Sequence, residues 1–536
     1  MSEDTPPQPP RNSDDTADGP ARTGSSALVA DAAHPGGRVR GFGRALLLTV
    51  AGTVVPGTAF LASGRRKTGV VVLALFALLV TWVVLLATAG RRDVLRLAVD
   101  SSALRWAAVG IVALALAWLL VVVTGYRSLR PRRLRGWQRA VGGGVVALLC
   151  AAVVAPAAWG VQLTVAQRDL LDSVFDDGQS ATVIEPEDRS TAFGGQDEVN
   201  ILLLGGDGGA GREGVRTDTV IVANVQTATG ATTLFSLPRN LEELPFPAAS
   251  PLAAVYPDGF DAGAESESLL NAVYRNGPAA HPGILGPTDD PGADWLKLGV
   301  GQALGLKIDY YVLVNLDGFS RLVDALGGIT LNVNYYVPVN GDMATRELPD
   351  RYIAPGPDQH MDGVTALDFA RGRFKQSDYL RMDRQRCVLQ AIVDAADPVT
   401  LLSRYQELAR TTSDIVSTDV PSGVLGDLVD LAFQVKGAGI RSVVFDTTVI
   451  NPAYPDYDRI RTLVQEALSP ASTAGDTTAP ATTATPAPAT SSAPLSAAPE
   501  PAGNGGVPAE VTDACAYDPA QAAAALAAGE PPNQGR

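Results

Sequence analysis

The chain has 536 residues, 46% hydrophobic and 18% charged, which is too long for one ordinary domain and points to two or more parts plus tails. Residues 1–168 carry a net charge of +11 and the remainder −26, and so acidic a C-terminal two-thirds argues against a nucleic-acid binder, which needs a basic face. Three His (His34, His281, His360) without a His/Cys cluster argue against a zinc site, and neither a P-loop nor a G-x-S-x-G nucleophile elbow is present.

Residues 1–36 are rich in Pro, Asp, Ser and Thr, and a disordered segment is expected over 1–43. Four uncharged apolar runs follow, at about 45–64, 68–90, 106–125 and 140–161. Each is about 20 residues, enough to span ~30 Å of hydrocarbon as a helix. A transmembrane region of three or four helices is therefore expected over 44–161. The first run carries Pro56-Gly57 and reads either as a span or as a re-entrant hairpin. Arg127, Arg130, Arg132, Arg133, Arg135 and Arg139 lie between the third and fourth runs with no acid among them, which marks that loop as cytoplasmic. The loop 91–105 then falls outside, as does everything after about residue 162. With four spans the N-terminus is outside, with three it is inside.

Residues 162–196 read as a membrane-proximal stalk, and residues 197–469 as a globular domain. Residues 470–510 form an Ala/Pro/Thr-rich linker, and 511–536 a C-terminal tail with Cys515. Within the globular part, strands are expected at 199–204, 219–225 and 232–237, the last stopped by Pro238. Residues 310–314 read as a strand, 316–325 as a helix ended by Gly327-Gly328, and 329–333 as a strand again. Helices are expected at 364–370 and 381–395. This order predicts an α/β or α+β sandwich with one central sheet.

Three sequence elements carry chemistry. Asp207 and Asp218 sit at an end and a start of neighbouring strands, and two such carboxylates suit a hard cation such as Mg²⁺, which commonly also takes phosphate oxygens. The alternative is a solvated loop. Arg239 in Ser236-Leu-Pro-Arg239 stands at a strand end, placed to meet an anion. In Asp368-Phe-Ala-Arg371-Gly-Arg373 an extended chain points both Arg the same way, and Arg381 and Gln385 share a helix face beside Asp378 and Arg384. Guanidinium forks bind phosphate oxygens bidentately. The bland alternative is a salt-bridged helix start in a chain with 37 Arg and 5 Lys. Two acids on a divalent cation and several Arg on a pyrophosphate follow the logic of phosphoryl transfer.

The ordered series of motifs resembles the LytR–CpsA–Psr family of cell-wall glycopolymer ligases over about residues 198–468. The series comprises Asn200-Ile-Leu-Leu-Leu-Gly-Gly-Asp207, Arg216-Thr-Asp-Thr219, Ser236-Leu-Pro-Arg239, Asn271-Ala272, Asp309-Tyr310-Tyr311, Val323-Asp-Ala-Leu-Gly-Gly-Ile329, Met361-Asp-Gly363, Ala370-Arg-Gly-Arg373 and Asp378…Arg381…Arg384-Gln385. The resemblance implies an αβα sandwich with a central mixed sheet and an apolar pocket between sheet and helices for a polyprenyl pyrophosphate. It implies transfer of a glycopolymer phosphate from that lipid to a peptidoglycan hydroxyl by a multi-pass membrane enzyme with its catalytic domain extracytoplasmic. It further implies Mg²⁺ (or Mn²⁺) on Asp207 and Asp218, phosphate contacts from Arg216, Arg239, Arg371, Arg373, Arg381, Arg384 and Gln385, and Asp218, Arg371 and Arg373 as catalytic residues.

The sequence departs from the family at Asn240, where an Asp is usual, and over the Pro/Gly-rich stretch 242–295, where acceptor or polymer specificity could lie. Cys387 and Cys515 share the expected oxidising side and could pair, pinning the tail to the domain; two free thiols are the alternative. A polyprenyl-pyrophosphate hydrolase and a non-enzymatic envelope lipid binder are the competing functional readings.

Overall fold

The computed structural model describes residues 41–89, 91–175, 178–183, 192–206, 215–396, 416–469 and 509–534. The N-terminal segment up to residue 40, the linker 470–508 and Asp207 lie outside the described residues. The chain divides into two units, one of residues up to 76 and 120–149, the other of residues 77–119 and from 150 onward.

In the first unit the earliest apolar run is two short helices, α1 (Phe42–Val54) and α2 (Thr58–Ala62). At 13 residues α1 is ~20 Å long, short of a ~30 Å bilayer core. The chain turns at Pro56-Gly57, and Gly57 has φ 105°. A Cβ there would stand 2.6 Å from the Gly69 carbonyl oxygen, so the turn packs backbone to backbone against the next helix. Among the described residues three helices are long and apolar enough to cross a membrane: α3 (Arg66–Ala89) over Arg66–Leu85, α5 (Ser101–Leu129), and α6 (Gly136–Val174) over Gly136–Asp169. Of the two span counts the sequence left open, the helix lengths favour three. The 39 residues of α6 measure ~58 Å, so its last part covers the first residues expected as stalk.

Within the second unit, residues 91–105 hold a short helix, α4 (Arg91–Val99). It packs against α14 (Leu425–Ala438) of the globular part, with Arg96 paired to Asp430 and the Gln167 amide donating to the Ala98 carbonyl at 3.1 Å. Leu104 and Leu171 are buried in the same apolar cluster as Val199 and Leu431.

The globular part is organised by a seven-stranded mixed sheet in the order β11-β10-β3-β2-β1-β4-β9. Its strands are β1 (Glu198–Gly206), β2 (Thr217–Gln226), β3 (Thr232–Leu237), β4 (Tyr310–Asn315), β9 (Val416–Thr418), β10 (Ile440–Val444) and β11 (Ala509–Glu510). β1 is antiparallel to β2 and parallel to β4. Both sheet faces are covered, so the central strands are almost continuously apolar, as the run 199–204 predicted. Leu202, Leu204, Val222 and Phe235 face α9 (Leu270–Ala280), α10 (Pro291–Leu304) and α15 (Tyr457–Leu468). Val199, Ile221, Val225 and Leu234 face α13 (Asp378–Ala395) and α14. The architecture is the expected αβα sandwich.

A second small layer holds β5 (Ile329–Val333) with β8 (Gly356–Met361), and β6 (Val337–Val339) with β7 (Arg351–Ile353). With α11 (Leu316–Leu326) and α12 (Gly363–Arg371) it packs on α13 through Val323, Ile329, Phe369 and Val388. Caps set these helices. Asn315 accepts from Gly318 N at 2.8 Å, Asp362 from Thr365 N at 2.8 Å, and Gly327 closes α11 at φ 89°.

The Pro/Gly-rich stretch 242–295 contains α7 (Pro251–Val255), α8 (Glu265–Ser268), α9 and the start of α10. α10 opens with Pro291 in its first turn and the Asp290 side chain as N-cap. Its glycines serve close packing: a Cβ on Gly299 would sit 2.3 Å from Leu244 Cδ2. The tail does not stand apart from the domain either. β11 extends the main sheet beside β10, and α16 (Val511–Ala514) and α17 (Pro519–Ala528) follow. Cys515 is disulfide-bonded to Cys387 on α13, with Cα atoms 5.5 Å apart. Gln534 N then donates to the Pro349 carbonyl at 2.9 Å, so the tail reaches the small β-layer.

Candidate active site: an arginine-rimmed apolar pocket

The register of the sheet builds the floor of the site. Leu203 is paired with Ile221 on one side and Val312 on the other, and Gly205 with Thr219 and Val314. These six residues form two rows on the face turned toward α13. Above them stand α11, α12 and α13, and between floor and helices lies a cavity of 310 Å³. Its far part is lined by Phe319, Leu322, Leu367, Leu389 and Ile392. Its mouth carries Asp218, Arg371, Arg373, Arg381 and Gln385. Along α13 the lining residues are Arg381, Gln385, Val388, Leu389 and Ile392. This single helix stripe passes from charged to apolar over ~16 Å.

Gly205 and Gly206 end β1 at the mouth, where space decides the residue. A Cβ on Gly205 would lie 2.9 Å from Thr219 Cβ, and one on Gly206 2.8 Å from Val215 Cγ1.

The mouth is an interlocked charge network. Arg239 Nη1 donates to Asp218 Oδ1 at 2.8 Å, and its Nε lies 3.5 Å from Asp378 Oδ1. Arg381 Nη2 donates to Asp378 Oδ2 at 3.0 Å and to the Asp218 carbonyl at 3.1 Å. The Asn271 amide donates to Asp218 Oδ1 at 3.2 Å. Burial alone would raise the Asp218 carboxyl. The Arg239 guanidinium and the Asn271 amide outweigh it and hold Asp218 below the usual carboxylate range. Arg381 is 4% exposed, and burial pushes its pKa down, against the pull of Asp378 and Asp218 and with the repulsion of Arg239 and Arg373. Its buried Nε has no hydrogen-bond partner among the described residues, nor does Asn271 Oδ1. Unpaired buried polar groups at a cavity mouth are groups a ligand can satisfy.

Arg371 and Arg373 are exposed, line the cavity and form no ion pair among the described residues. Among the described residues four guanidinium groups (Arg239, Arg371, Arg373, Arg381) thus meet two carboxylates (Asp218, Asp378).

Three expected phosphate ligands do not line the cavity: Arg239 stands behind Asp218 and Asp378, and Arg384 and Arg216 are turned elsewhere. Arg384 is 3% exposed and turned inward. Its Nε donates to the Phe369 carbonyl at 2.7 Å, its Nη1 to Tyr335 Oη at 3.0 Å and Gln376 Oε1 at 2.9 Å, and its Nη2 to the Gly372 carbonyl. Those contacts commit its donors to the protein. Helical spacing explains the error, because Arg384 lies one residue off the stripe of Arg381 and Gln385. Arg216 pairs with Glu267 on α8 at 2.6 Å, a carboxylate that also holds Arg275. Conversely, Asn271 and Asp378 belong to the site as partners of Asp218, Arg239 and Arg381. Asn271 was visible in the sequence only as a motif residue, since its α9 lies in the Pro/Gly-rich stretch 242–295.

For a divalent cation, Asp218 is the described donor. Its Oδ1 is taken by Arg239 and Asn271, while Oδ2 carries no hydrogen bond among the described residues. One free hard oxygen beside arginines that would hold phosphate fits the way Mg²⁺ is usually bound, through one or two carboxylates plus substrate oxygens. Asp207, the expected second ligand, lies outside the described residues. Among the described residues no group of three or more His, Cys, Asp or Glu could hold a metal by itself.

Fold and pocket define the class: an αβα sandwich whose central cavity fits an amphiphile with an anionic head. The LytR_cpsA_psr family model matches residues 173–465, more than half of the chain, and the chain belongs to that family. Among curated proteins it is 28% identical over 305 residues to the polyisoprenyl-teichoic acid–peptidoglycan teichoic acid transferase TagU of Enterococcus faecalis, a match covering 55% of this chain and 82% of that protein. It is 28% identical over 256 residues to biofilm regulatory protein A of Streptococcus mutans, covering 45% of this chain and 57% of that protein. Among solved structures, the crystal structure of B. subtilis TagV is similar at 24% identity and a TM-score of 0.34, covering 50% of this chain and 96% of that one.

Proposed function

We propose that this protein is a membrane-anchored phosphotransferase that moves a glycopolymer from a polyprenyl-pyrophosphate carrier to a peptidoglycan hydroxyl through a phosphodiester link. The observation that carries the reading is the cavity in which Arg371, Arg373 and Arg381 rim a mouth continuous with the apolar stripe Val388–Leu389–Ile392. Its ligand needs a charged head and a hydrocarbon tail. A pyrophosphate diester carries two negative charges, opposite in sign to the excess of positive charge that the described residues place at the mouth. The printed name of the E. faecalis relative, a transferase from a polyisoprenyl-linked polymer to peptidoglycan, supports the same class of reaction.

The reaction needs little covalent chemistry from the protein. The acceptor oxygen attacks the phosphorus that bears the sugar, the bridging P–O bond breaks, and polyprenyl monophosphate leaves with the electron pair. The acceptor proton passes to a carboxylate at the mouth or to solvent. Arg371, Arg373 and Arg381 bind the phosphate oxygens and neutralise charge on the leaving group, while Gln385 orients the head. Arg239 holds Asp218 as an anion. A Mg²⁺ ion on Asp218 and Asp207 would supply further neutralisation of the pyrophosphate. The apolar stripe keeps the chain out of water and fixes which phosphorus stands at the mouth.

We further place the protein as a multi-pass membrane protein with this domain outside the cytoplasm. The positively charged loop 127–139 supports that orientation. So does the packing of α4 on α14, which puts loop 91–105 on the same side as the domain.

The test uses the full chain in detergent micelles with Mg²⁺, a polyprenyl-pyrophosphoryl sugar and peptidoglycan fragments, beside Asp218→Ala and Arg373→Ala. Mass spectrometry should find a sugar–phosphate–peptidoglycan product from the wild type alone. Free sugar phosphate without coupling would replace the transferase by a hydrolase. Saturable lipid binding without turnover, equal in all three proteins, would leave a lipid binder.

A further inference from the structure

We propose that Arg384 is a positioning residue that aims Arg371 and Arg373 at the pyrophosphate. The inference rests on the reading of the mouth as a phosphate site and goes beyond it, because Arg384 itself reaches no ligand.

Arg371 ends α12, and Arg373 follows after a single glycine. Neither is held by an ion pair among the described residues, so their direction depends on the backbone of 369–376. That backbone is clamped from two sides. On one side it lies against β6, where a Cβ on Gly372 would meet the Pro338 carbonyl oxygen at 2.3 Å. On the other side Arg384 binds it at two carbonyls, Phe369 and Gly372, the second lying between the two arginines. The same guanidinium takes Gln376 Oε1 at 2.9 Å, and the Gln376 amide donates to the Tyr336 carbonyl at 2.8 Å, which closes the loop onto the small β-layer. Tyr335 and Phe369 each place a ring centroid 5.9 Å from Arg384 Cζ, adding attraction at two ring faces.

The planar fork explains why arginine occupies this position. Lys has one nitrogen and cannot reach four acceptors spread over three segments. Because Arg384 stands on α13, three residues beyond Arg381 and one before Gln385, the helix that supplies two mouth residues also sets the other two. The four phosphate-facing groups are thereby locked into one frame.

The experiment measures binding of inorganic pyrophosphate and of an apolar fluorescent dye to the full-length protein in micelles. The dye reports an intact apolar cavity and is indifferent to the arginines. Arg384→Gln should weaken pyrophosphate binding about tenfold or more while leaving dye binding intact, and Arg384→Lys should recover part of the loss. In an Arg371→Ala/Arg373→Ala background, Arg384→Gln should cause no further loss, because nothing remains to be aimed. An undiminished pyrophosphate affinity in Arg384→Gln would overturn the proposal, as would a loss that adds in full to that of the double variant. If Arg384→Gln fails to fold, Arg384→Lys carries the same cycle with the same two refuting outcomes. A wild type that binds no pyrophosphate would instead sink the phosphate-site reading, and the positioning role with it.

Discussion

Substituting Ile392 by Trp should shorten the apolar cavity without touching its mouth. Ile392 lines the cavity on α13, eleven residues or ~16 Å along the helix from Arg381. At roughly 30 Å³ per water-sized unit, the 310 Å³ cavity holds about ten heavy atoms, or two five-carbon isoprene units. Burial of ten such carbons is worth ~8 kcal/mol gross at ~0.8 kcal/mol each. An indole at the far end displaces about one isoprene unit, ~4 kcal/mol gross, part of which returns as contact between the chain and the ring. A net loss of about 2–3 kcal/mol corresponds to roughly 30- to 150-fold in affinity. The assay compares a long-chain polyprenyl pyrophosphate with inorganic pyrophosphate on wild type and Ile392→Trp. The long-chain ligand should weaken by that factor and inorganic pyrophosphate should not change. Equal weakening of both would mean that the substitution acts through the fold. No weakening of either would mean that the chain does not lie along this stripe, which would refute the amphiphile reading.

Asp218→Asn should abolish turnover and flatten one part of the acid unfolding profile. The Asp218 carboxyl is held below its ordinary value in the fold, so its stabilisation is present above the unfolded value of ~3.9 and is lost as pH falls through the lower folded value. Denaturation midpoints between pH 2 and pH 6 test this, and the same slope in both proteins would contradict it. Gly372→Ala should cost about 1–3 kcal/mol, because its Cβ would press on the Pro338 backbone oxygen. Its pyrophosphate affinity, read by calorimetry, should fall at least tenfold as Arg371 and Arg373 are displaced. Cys515→Ser should open a loop spanning 128 residues of sequence. The expected loss is about 2–4 kcal/mol, read as a lower Tm with new protease cleavage within residues 509–534. An unchanged Tm in non-reducing buffer would show that the tail adds nothing to stability.

Local chemistry in the sequence was enough for the elements around the site. Apolar or alternating runs of five to seven residues placed β1, β2, β3 and β4, with Gly205 ending the first and Pro238 stopping the third. Gly327-Gly328 bounded α11 for reasons of backbone geometry alone. The spacing of Arg371 with Arg373, and of Arg381 with Gln385, already grouped the cations that line the cavity, since both patterns follow from strand and helix periods. The lengths of the apolar runs limited the membrane part to three or four spans.

What the sequence could not decide depends on contacts between distant segments. Arg384 and Arg381 are alike in type and three residues apart, yet one turns into the protein and the other lines the cavity. Only the carbonyls of Phe369 and Gly372, placed by α12, distinguish them. Arg216 was legible as a cation but not as the partner of Glu267, fifty-one residues away. Glycine is a poor helix former, and only the packed faces of Leu244 and Tyr274 reveal why small residues are required in α10. The pairing of Cys387 with Cys515 was open in the sequence, but strand β11 was not, because two residues of strand carry no periodic signal and their hydrogen bonds to β10 exist only once the sheet has formed. Periodicity and turn chemistry are properties of neighbouring residues and can be read from the chain. The aim of a side chain at a site is set by whichever distant backbone reaches it first, and that was decided by the tertiary structure.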